Sequence, residues 1–258
     1  MLTMNDMTRP VLTFDSGLGG LSVFRHLVAA ASELDHVYVA DDLSFPVGGW
    51  EADALIEHCV ETIGGLISQY NPRLVVIACN TESTLIMGAL RQKFDIPFVG
   101  TVPAVKPAAK KTQTGLVSIL ATPGTVKRDY TRALMDTYAS HCRVNLVGAE
   151  NLARLAEIYL REGDVDEAAI LAEIEPCFID DGESKTDVVV LACTHYPLLL
   201  PVLEKLAPWP VYWLDPAPAI ARQALVILDG NIKGGAGRQY LTTSGATFPM
   251  AAIENCQL

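Results

Sequence analysis

The sequence predicts an α/β fold with parallel sheets, and two observations carry that prediction. Short runs rich in valine, isoleucine and leucine alternate along the chain with longer segments at helical spacing. The short runs are apolar throughout rather than alternating, which is typical of parallel strands covered by helices on both faces. We therefore expect parallel sheets flanked by helices. The predicted strands span 11–14, 37–40, 74–78, 96–100, 115–120, 144–148, 188–192 and 211–214.

Two further elements are predicted from local patterns. Apolar side chains recur at helical spacing over residues 51–70, which indicates an amphipathic helix. Asn71-Pro72 is expected to end this helix, because the residue before a proline is disfavoured in the helical conformation. A short strand is predicted at 239–243, in a C-terminal stretch that is otherwise rich in small residues.

The chain contains the same arrangement twice, which predicts two lobes of similar fold. Cys79 and Cys193 each stand near the end of a strand-like run and are each followed by polar residues. Earlier in each half, a strand leads into a glycine-containing turn, at 15–20 and at 122–125.

We expect lobe 1 to comprise residues 1–101 and 212–258, and lobe 2 to comprise residues 102–211. A pseudo-two-fold axis should relate them. Ligands of open α/β sheets bind beyond the carboxyl ends of the strands. The four motifs are therefore expected to surround one active site in the cleft between the lobes.

Composition excludes some classes of partner. The net charge of -11 argues against binding to nucleic acid or to an anionic membrane surface. The longest uncharged run, 188–203, is shorter than the roughly 20 residues that a membrane span needs. The six cysteines form no CxxC pair, so a cytoplasmic chain with reduced thiols is expected.

Cys79 and Cys193 are candidate acid–base residues. A matched pair of thiols facing a substrate from opposite sides suits the transfer of a proton from one face of a carbon to the other. His195 lies two residues beyond Cys193, and side chains two apart on an extended segment point the same way. A histidine there can take or hold the thiol proton, whose unperturbed pKa is about 8.5.

The glycine turn 15–20 offers backbone amides at the start of a helix, which favours anion binding. It is neither a Walker A loop nor a full GxGxxG motif, so nucleotide binding is weakly supported. Asp15 follows an apolar strand directly, where a carboxylate needs a partner. The remaining cysteines and histidines are interpreted as structural or surface residues: Cys59, Cys142, Cys177, Cys256, His26, His36, His58 and His141.

Two rival chemistries remain open at this point. Cys79, Cys193, His195 and Asp15 are all plausible zinc ligands, which would indicate a zinc-dependent hydrolase or a metal-binding protein. Against zinc, these residues form no close-ligand pattern such as CxxC or HExxH. A pyridoxal enzyme is disfavoured because no lysine stands in the cysteine motifs or in the Asp15 motif.

Five motifs together resemble those of the glutamate racemases, in the aspartate/glutamate racemase superfamily. They occur in the order of that family and cover most of the chain. The motifs are Phe14-Asp15-Ser16-Gly17-Leu18-Gly19-Gly20, Ala78-Cys79-Asn80-Thr81, Gly100-Thr101-Val102-Pro103-Ala104-Val105-Lys106-Pro107-Ala108, Ala121-Thr122-Pro123-Gly124-Thr125 and Cys193-Thr194-His195-Tyr196-Pro197.

The resemblance implies a racemase without cofactor or metal that interconverts L- and D-glutamate and supplies D-glutamate for peptidoglycan synthesis. It implies that Cys79 removes the α-proton of the D-enantiomer with help from Asp15. Cys193 would remove that of the L-enantiomer, assisted by His195, with Glu157 as a further acidic residue nearby. Substrate contacts are implied for Ser16, Pro46, Val47, Gly48, Asn80, Thr81, Thr122, Thr125 and Thr194.

The sequence departs from the family pattern at the substrate loop and after the first cysteine. Val47 replaces the usual tyrosine of a Pro-Tyr-Gly motif, and Glu82 stands where a small residue is common. These departures leave aspartate or another amino acid open as the substrate. The only partner implied beyond the substrate is a second copy of the chain, as a homodimer.

Overall fold

The computed structural model describes residues 9–230 and 232–256. The chain divides into two units, Met1–Thr101 with Ala217–Leu258, and Val102–Pro216. Each unit contains one parallel sheet with helices packed against it, so the predicted fold class is confirmed. Among the described residues, every helix falls short of the length or the apolar character that a bilayer crossing requires.

The first unit is built on a five-stranded sheet with the order β4-β3-β1-β2-β9, and all its pairings are parallel. Its strands are β1 (Val11–Asp15), β2 (His36–Ala40), β3 (Leu74–Ile77), β4 (Phe98–Gly100) and β9 (Arg238–Thr242). Its helices are α1 (Leu21–Ala30), α2 (Ala52–Tyr70), α3 (Asn80–Lys93), α10 (Ala217–Leu228) and α11 (Met250–Asn255).

The second unit has a four-stranded parallel sheet with the order β6-β5-β7-β8. Its strands are β5 (Leu116–Ala121), β6 (Arg143–Gly148), β7 (Val188–Ala192) and β8 (Tyr212–Leu214). Its helices are α4 (Val105–Lys111), α5 (Pro123–Val126), α6 (Asp129–Tyr138), α7 (Leu152–Glu162), α8 (Glu167–Ile174) and α9 (Leu200–Leu206).

The boundary expected at residue 212 differs from the structure. β8 pairs in parallel with β7, through Val188 and Tyr212 among others, and so belongs to the second sheet. The chain returns to the first unit only at Ala217. The C-terminal strand β9 then pairs with β2, and the Asp35 carboxylate accepts from the backbone N–H groups of Gly235 and Gly237 at 2.9 and 2.8 Å.

Local signals explain where these elements begin and end. Helix α2 ends at Asn71, which adopts a left-handed conformation with φ 44° directly before Pro72, as the sequence predicts. The central strands β1, β3 and β7 are buried along their whole length, in agreement with their continuous apolar sequences. Burial of both faces is what removes the alternating pattern.

Strand order creates a topological switch point in each sheet. In the first sheet, β2 lies on one side of β1 and β3 lies on the other; in the second sheet, β6 and β7 flank β5 in the same way. The helices after neighbouring strands diverge at such a point and leave a crevice at the carboxyl edge. Asp15 and Cys79 lie at this edge of the first sheet, and Thr122 and Cys193 at that of the second.

Candidate functional site

Asp15 is held at the end of β1 by the glycine turn. Gly17 donates its backbone N–H to Asp15 Oδ2 at 3.1 Å, and Tyr38 donates its hydroxyl to the carbonyl of Gly17 at 2.7 Å. The turn folds back so closely that a Cβ atom on Gly20 would lie 2.5 Å from Asp15 Cβ. A glycine is therefore required at position 20 for the buried carboxylate to keep this position.

Cys79 lies at the start of α3, beside the Asp15 turn. The Ser16 hydroxyl donates to Cys79 Sγ at 3.4 Å, and the sulfur also accepts from the backbone N–H of Glu82. Burial, followed by the charges of Glu82 and Asp15, raises the pKa of the Cys79 thiol well above its ordinary value. Cys79 is thus a thiol at rest, which is the state of a proton donor.

The residues after Cys79 present unused polar groups. Asn80 is buried, and neither its amide nitrogen nor its amide oxygen has a hydrogen-bond partner among the described residues. A buried amide without partners is costly, and a bound polar ligand would satisfy it. Asn80, buried Thr81 and the backbone N–H groups at the start of α3 together form a seat for an anion.

The loop after β2 places the remaining expected contacts of the first unit. Pro46 and Gly48 are exposed, and a Cβ on Gly48 would meet no neighbouring atom within 4 Å. Val47 instead points into the apolar cluster that contains Cys79 and Cys59. The exposed residues of this loop, and not the Val47 side chain, are thus open to a ligand.

In the second unit, three side chains form a hydrogen-bonded series. Cys193 Sγ lies 3.7 Å from His195 Nδ1, and His195 Nε2 lies 2.9 Å from Glu157 Oε1. Burial lowers the pKa of His195, but its contacts with Cys193 and Glu157 outweigh burial and raise the pKa well above the ordinary value. His195 is thus placed to exchange a proton with the Cys193 sulfur, and Glu157 holds its ring in that position.

Threonines and a tyrosine surround Cys193. Thr122 caps α5, its hydroxyl oxygen accepting from the Thr125 backbone N–H at 3.3 Å, and the two threonine hydroxyls lie 3.2 Å apart. Thr194 is buried directly after the cysteine. The Tyr196 hydroxyl is buried without a hydrogen-bond partner among the described residues, and burial, followed by the Cys193 charge, raises its pKa.

Sequence reasoning missed a second group beside Cys79. Glu82 is fully buried, and one oxygen of Glu82, one of Asp41 and the Cys59 sulfur lie within 4.8 Å of one another. Asp41 Oδ2 lies 2.7 Å from Nε2 of His58, which had been interpreted as a structural or surface histidine. The available signal was Glu82 itself, a carboxylate three residues after the cysteine where a small residue is common.

This group bears on the zinc alternative. Within the described chain, the residues whose ligand atoms cluster are Asp41, Cys59 and Glu82. They differ from the zinc ligands considered from the sequence, which were Cys79, Cys193, His195 and Asp15. Within the first unit, Cys79 and Asp15 do not belong to the cluster. The donor set, two carboxylates and a thiol, is chemically compatible with a divalent cation.

The comparisons with known proteins agree on one family. The model of the Asp/Glu/Hydantoin racemase family matches residues 19–224. The chain is 56% identical over 224 residues to the glutamate racemase of Brucella anthropi, covering 86% of this chain and 81% of the relative. It is 54% identical over 243 residues to that of Mesorhizobium japonicum, covering 93% of each.

A solved structure supports the same assignment. The Escherichia coli glutamate racemase, in complex with L-glutamate and the activator UDP-MurNAc-ala, superposes with a TM-score of 0.87 at 36% identity. The match covers 96% of this chain and 94% of that one. These findings confirm the resemblance carried by the five sequence motifs. The chain therefore belongs to the Asp/Glu/Hydantoin racemase family, among the glutamate racemases.

Proposed function

We propose that the chain is a cofactor-independent racemase that interconverts L- and D-glutamate through Cys79 and Cys193. The observation that carries this proposal is the repeated arrangement at the two switch points. In each unit a buried strand next to the switch point leads into a cysteine that has its own carboxyl or imidazole neighbour. The 54% to 56% identity to glutamate racemases supports glutamate as the substrate.

The reaction needs one acid and one base on opposite faces of the α-carbon. For L-glutamate, the Cys193 thiolate removes the α-proton and the Cys79 thiol donates its proton to the other face. For D-glutamate the roles are exchanged. Burial, followed by the charges of Glu82 and Asp15, raises the pKa of Cys79, which suits a proton donor in the first direction. His195 lies beside Cys193 to exchange a proton with it.

The intermediate carries negative charge on the substrate, which the protein must stabilise with hydrogen-bond donors. The unpartnered Asn80 amide and the amides at the start of α3 would bind one carboxylate of glutamate. The proposal includes three buried threonines as further substrate contacts: Thr81, Thr125 and Thr194. Ser16 donates to Cys79, and the charge of Asp15 acts on that thiol. His195 contacts Cys193, and Glu157 holds His195.

The biological setting is part of the proposal. A glutamate racemase supplies D-glutamate for peptidoglycan, a role that belongs in the cytoplasm. We extend the proposal to a homodimer as the assembled form. Size-exclusion chromatography with light scattering tests the assembly, and a monomer at working concentration would contradict it.

The function is tested by following optical rotation with a panel of L-amino acids that includes glutamate and aspartate. Glutamate in deuterated water is expected to lose its rotation and to gain deuterium at the α-carbon. Faster loss of optical rotation with aspartate than with glutamate would indicate that aspartate is the substrate, as in another branch of the same superfamily. If none of the amino acids in the panel loses its optical rotation, the proposed racemase function is contradicted. If a chelator abolishes the activity, the zinc alternative is favoured.

A further inference from the structure

Two-base racemisation leaves the enzyme in a different protonation state from the one in which it began. After conversion of L- to D-glutamate, Cys193 holds the proton it removed and Cys79 has lost the proton it donated. Before the next L-glutamate can react, Cys79 must regain a proton and Cys193 must release one. Both thiols are buried, so each needs a route for protons to and from water. The inference below rests on the proposed function.

Glu82 is placed to exchange a proton with Cys79. It is the third residue of α3, and its backbone N–H and its carboxyl group both interact with the Cys79 thiol. Burial, followed by the charges of Asp15 and Asp41, raises its pKa well above the ordinary value. Neither carboxyl oxygen has a hydrogen bond of good geometry among the described residues. Glu82 thus holds its proton more tightly than an ordinary glutamate does.

Asp41 and His58 continue from Glu82 towards the surface. An oxygen of Asp41 lies within 4.8 Å of an oxygen of Glu82. The path proposed below requires one water molecule to carry a proton between these two oxygens. Asp41 Oδ2 lies 2.7 Å from His58 Nε2. The side chain of Asp41 is fully buried, whereas that of His58 is 24% exposed. Polar groups therefore succeed one another from the buried sulfur to water.

Asp41 is also held firmly from the C-terminal segment. The Thr243 hydroxyl, directly after β9, lies 2.7 Å from Asp41 Oδ1, which leaves Oδ2 directed at His58. The backbone N–H of Ser244 and its hydroxyl bind the next carboxylate, Asp42, at 2.9 and 2.6 Å. Pairing of β9 with β2 thus orients the carboxylate in the middle of the series.

The second unit contains the same kinds of group in the reverse order. From Cys193 the series runs through His195 to Glu157, whose other oxygen contacts Arg161, a side chain that is 46% exposed. Beside Cys79 the carboxyl groups come first and the imidazole lies at the surface; beside Cys193 the imidazole comes first. Each thiol therefore has its own titratable connection to water.

We propose that Glu82, Asp41 and His58 form the proton-exchange path that resets Cys79 between turnovers. After an L-to-D turnover, the Glu82 carboxyl group gives its proton to the Cys79 thiolate. The Glu82 carboxylate then takes a proton that passes from water by way of His58 and Asp41. After a D-to-L turnover the same transfers run in reverse. Glu82, Asp41 and His58 need not touch the substrate.

The test compares net conversion with exchange at equilibrium in the Glu82→Gln variant, with a chelator present throughout. Net conversion of pure L-glutamate requires a reset after every turnover. Radiolabel exchange in a racemic mixture does not, because the enzyme form left by one enantiomer accepts the other. We expect net conversion at saturating glutamate to fall by about tenfold or more, since a positioned acid is replaced by slower exchange with water. Radiolabel exchange should stay within about twofold of the wild type.

His58→Ala tests the outer end of the path. Net conversion should fall and should be restored by added imidazole, whereas His141→Ala, which alters an exposed histidine of the second unit, should leave it unchanged. A parallel fall of net conversion and radiolabel exchange in Glu82→Gln would assign Glu82 a structural role. Unchanged net conversion in Glu82→Gln, or no response of His58→Ala to imidazole, would also overturn the path. A wild-type protein that fails to racemise glutamate would instead contradict the proposed function.

Discussion

His195 Nε2 lies 2.9 Å from Glu157 Oε1, and both side chains are buried. The carboxylate thereby holds the imidazole with its Nδ1 atom 3.7 Å from the Cys193 sulfur. Burial by itself disfavours the charged ring, but contacts with Cys193 and then Glu157 raise the pKa of His195 well above its ordinary value. The imidazole beside Cys193 is therefore oriented by a residue 36 positions away from that cysteine in sequence, on α7.

Glu157→Gln should weaken Cys193 as a base. Loss of the carboxylate lowers the pKa of His195 and releases its ring from the position beside Cys193, so kcat/KM is expected to fall by about tenfold to a hundredfold. The fall must be equal in the two directions, because the equilibrium constant of a racemisation is one. Arg161→Gln is the matched control, since that side chain is 46% exposed and contacts Glu157 at 3.3 Å. Equal losses in both variants would contradict the assignment.

Cys79→Ala and Cys193→Ala should each abolish racemisation. Each variant lacks the acid or the base for one face of the α-carbon, so turnover should fall by at least about a thousandfold. Circular dichroism should show an intact fold. Cys142→Ala removes a partly buried thiol outside both cysteine motifs and should retain activity. Full activity of either first variant would refute the two-thiol mechanism.

Asn80→Ala should raise KM without destabilising the free protein. The Asn80 amide makes no hydrogen bond within the described chain, so its removal relieves an unpaired buried group. A lost hydrogen bond to a charged ligand costs about 1.5–3 kcal/mol, which corresponds to a KM increase of about tenfold to a hundredfold. Initial rates and thermal unfolding measure the two effects.

Asn145→Ala provides the contrast for that experiment. The Asn145 amide donates to the Ser118 hydroxyl at 3.2 Å and to the Pro176 carbonyl at 2.8 Å. Its loss should lower the Tm and leave KM unchanged. An unchanged KM in Asn80→Ala would remove Asn80 from the substrate site.

Glu82→Gln should change the pH dependence of stability. The folded state holds the Glu82 proton more tightly than the unfolded chain, because the pKa is raised by burial. The wild type therefore loses stability as pH rises above the unfolded pKa of about 4.3, by up to about 1.4 kcal/mol per pH unit, until the folded pKa is reached. The variant lacks this loss.

The Tm of Glu82→Gln relative to the wild type should thus rise between about pH 5 and about pH 8. Thr84→Val, a substitution without a titratable group in the same helix, should keep a constant difference from the wild type. A constant difference for Glu82→Gln as well would show that Glu82 is already ionised in the folded protein.

Several residues of the candidate site could be proposed from the sequence, because the ends of the strands can be located there. Asp15, Cys79 and Cys193 each follow an uninterrupted apolar run, and the carboxyl ends of parallel strands are where ligands bind. His195 was found by its spacing from Cys193, and the 3.7 Å contact is consistent with that reasoning. Tyr196 was overlooked as a neighbour of the sulfur, because a tyrosine after a strand is more often a packing residue.

The group beside Cys79 was not predictable from local patterns. Asp41, His58 and Glu82 come from three separate elements, and nothing in their spacing indicates that they meet. Nor did the sequence show that β8 stays with β7, since three residues carry too little pattern to choose a sheet. A strand pairs with partners that are distant in sequence. For a short strand, the packing of the whole unit rather than the local sequence determines which partner it pairs with.

The sequence alone therefore determined the class of fold, the strands, the two thiols and the family to which the chain belongs. Each of these depends on residues that are adjacent or regularly spaced in the sequence, where burial produces a recognisable pattern of apolar residues. The tertiary structure alone decided which side chains surround each thiol. Burial and the charges of Glu82 and Asp15 raise the pKa of Cys79, and Glu157 holds His195 beside Cys193. These effects arise only when segments that are distant in sequence fold together.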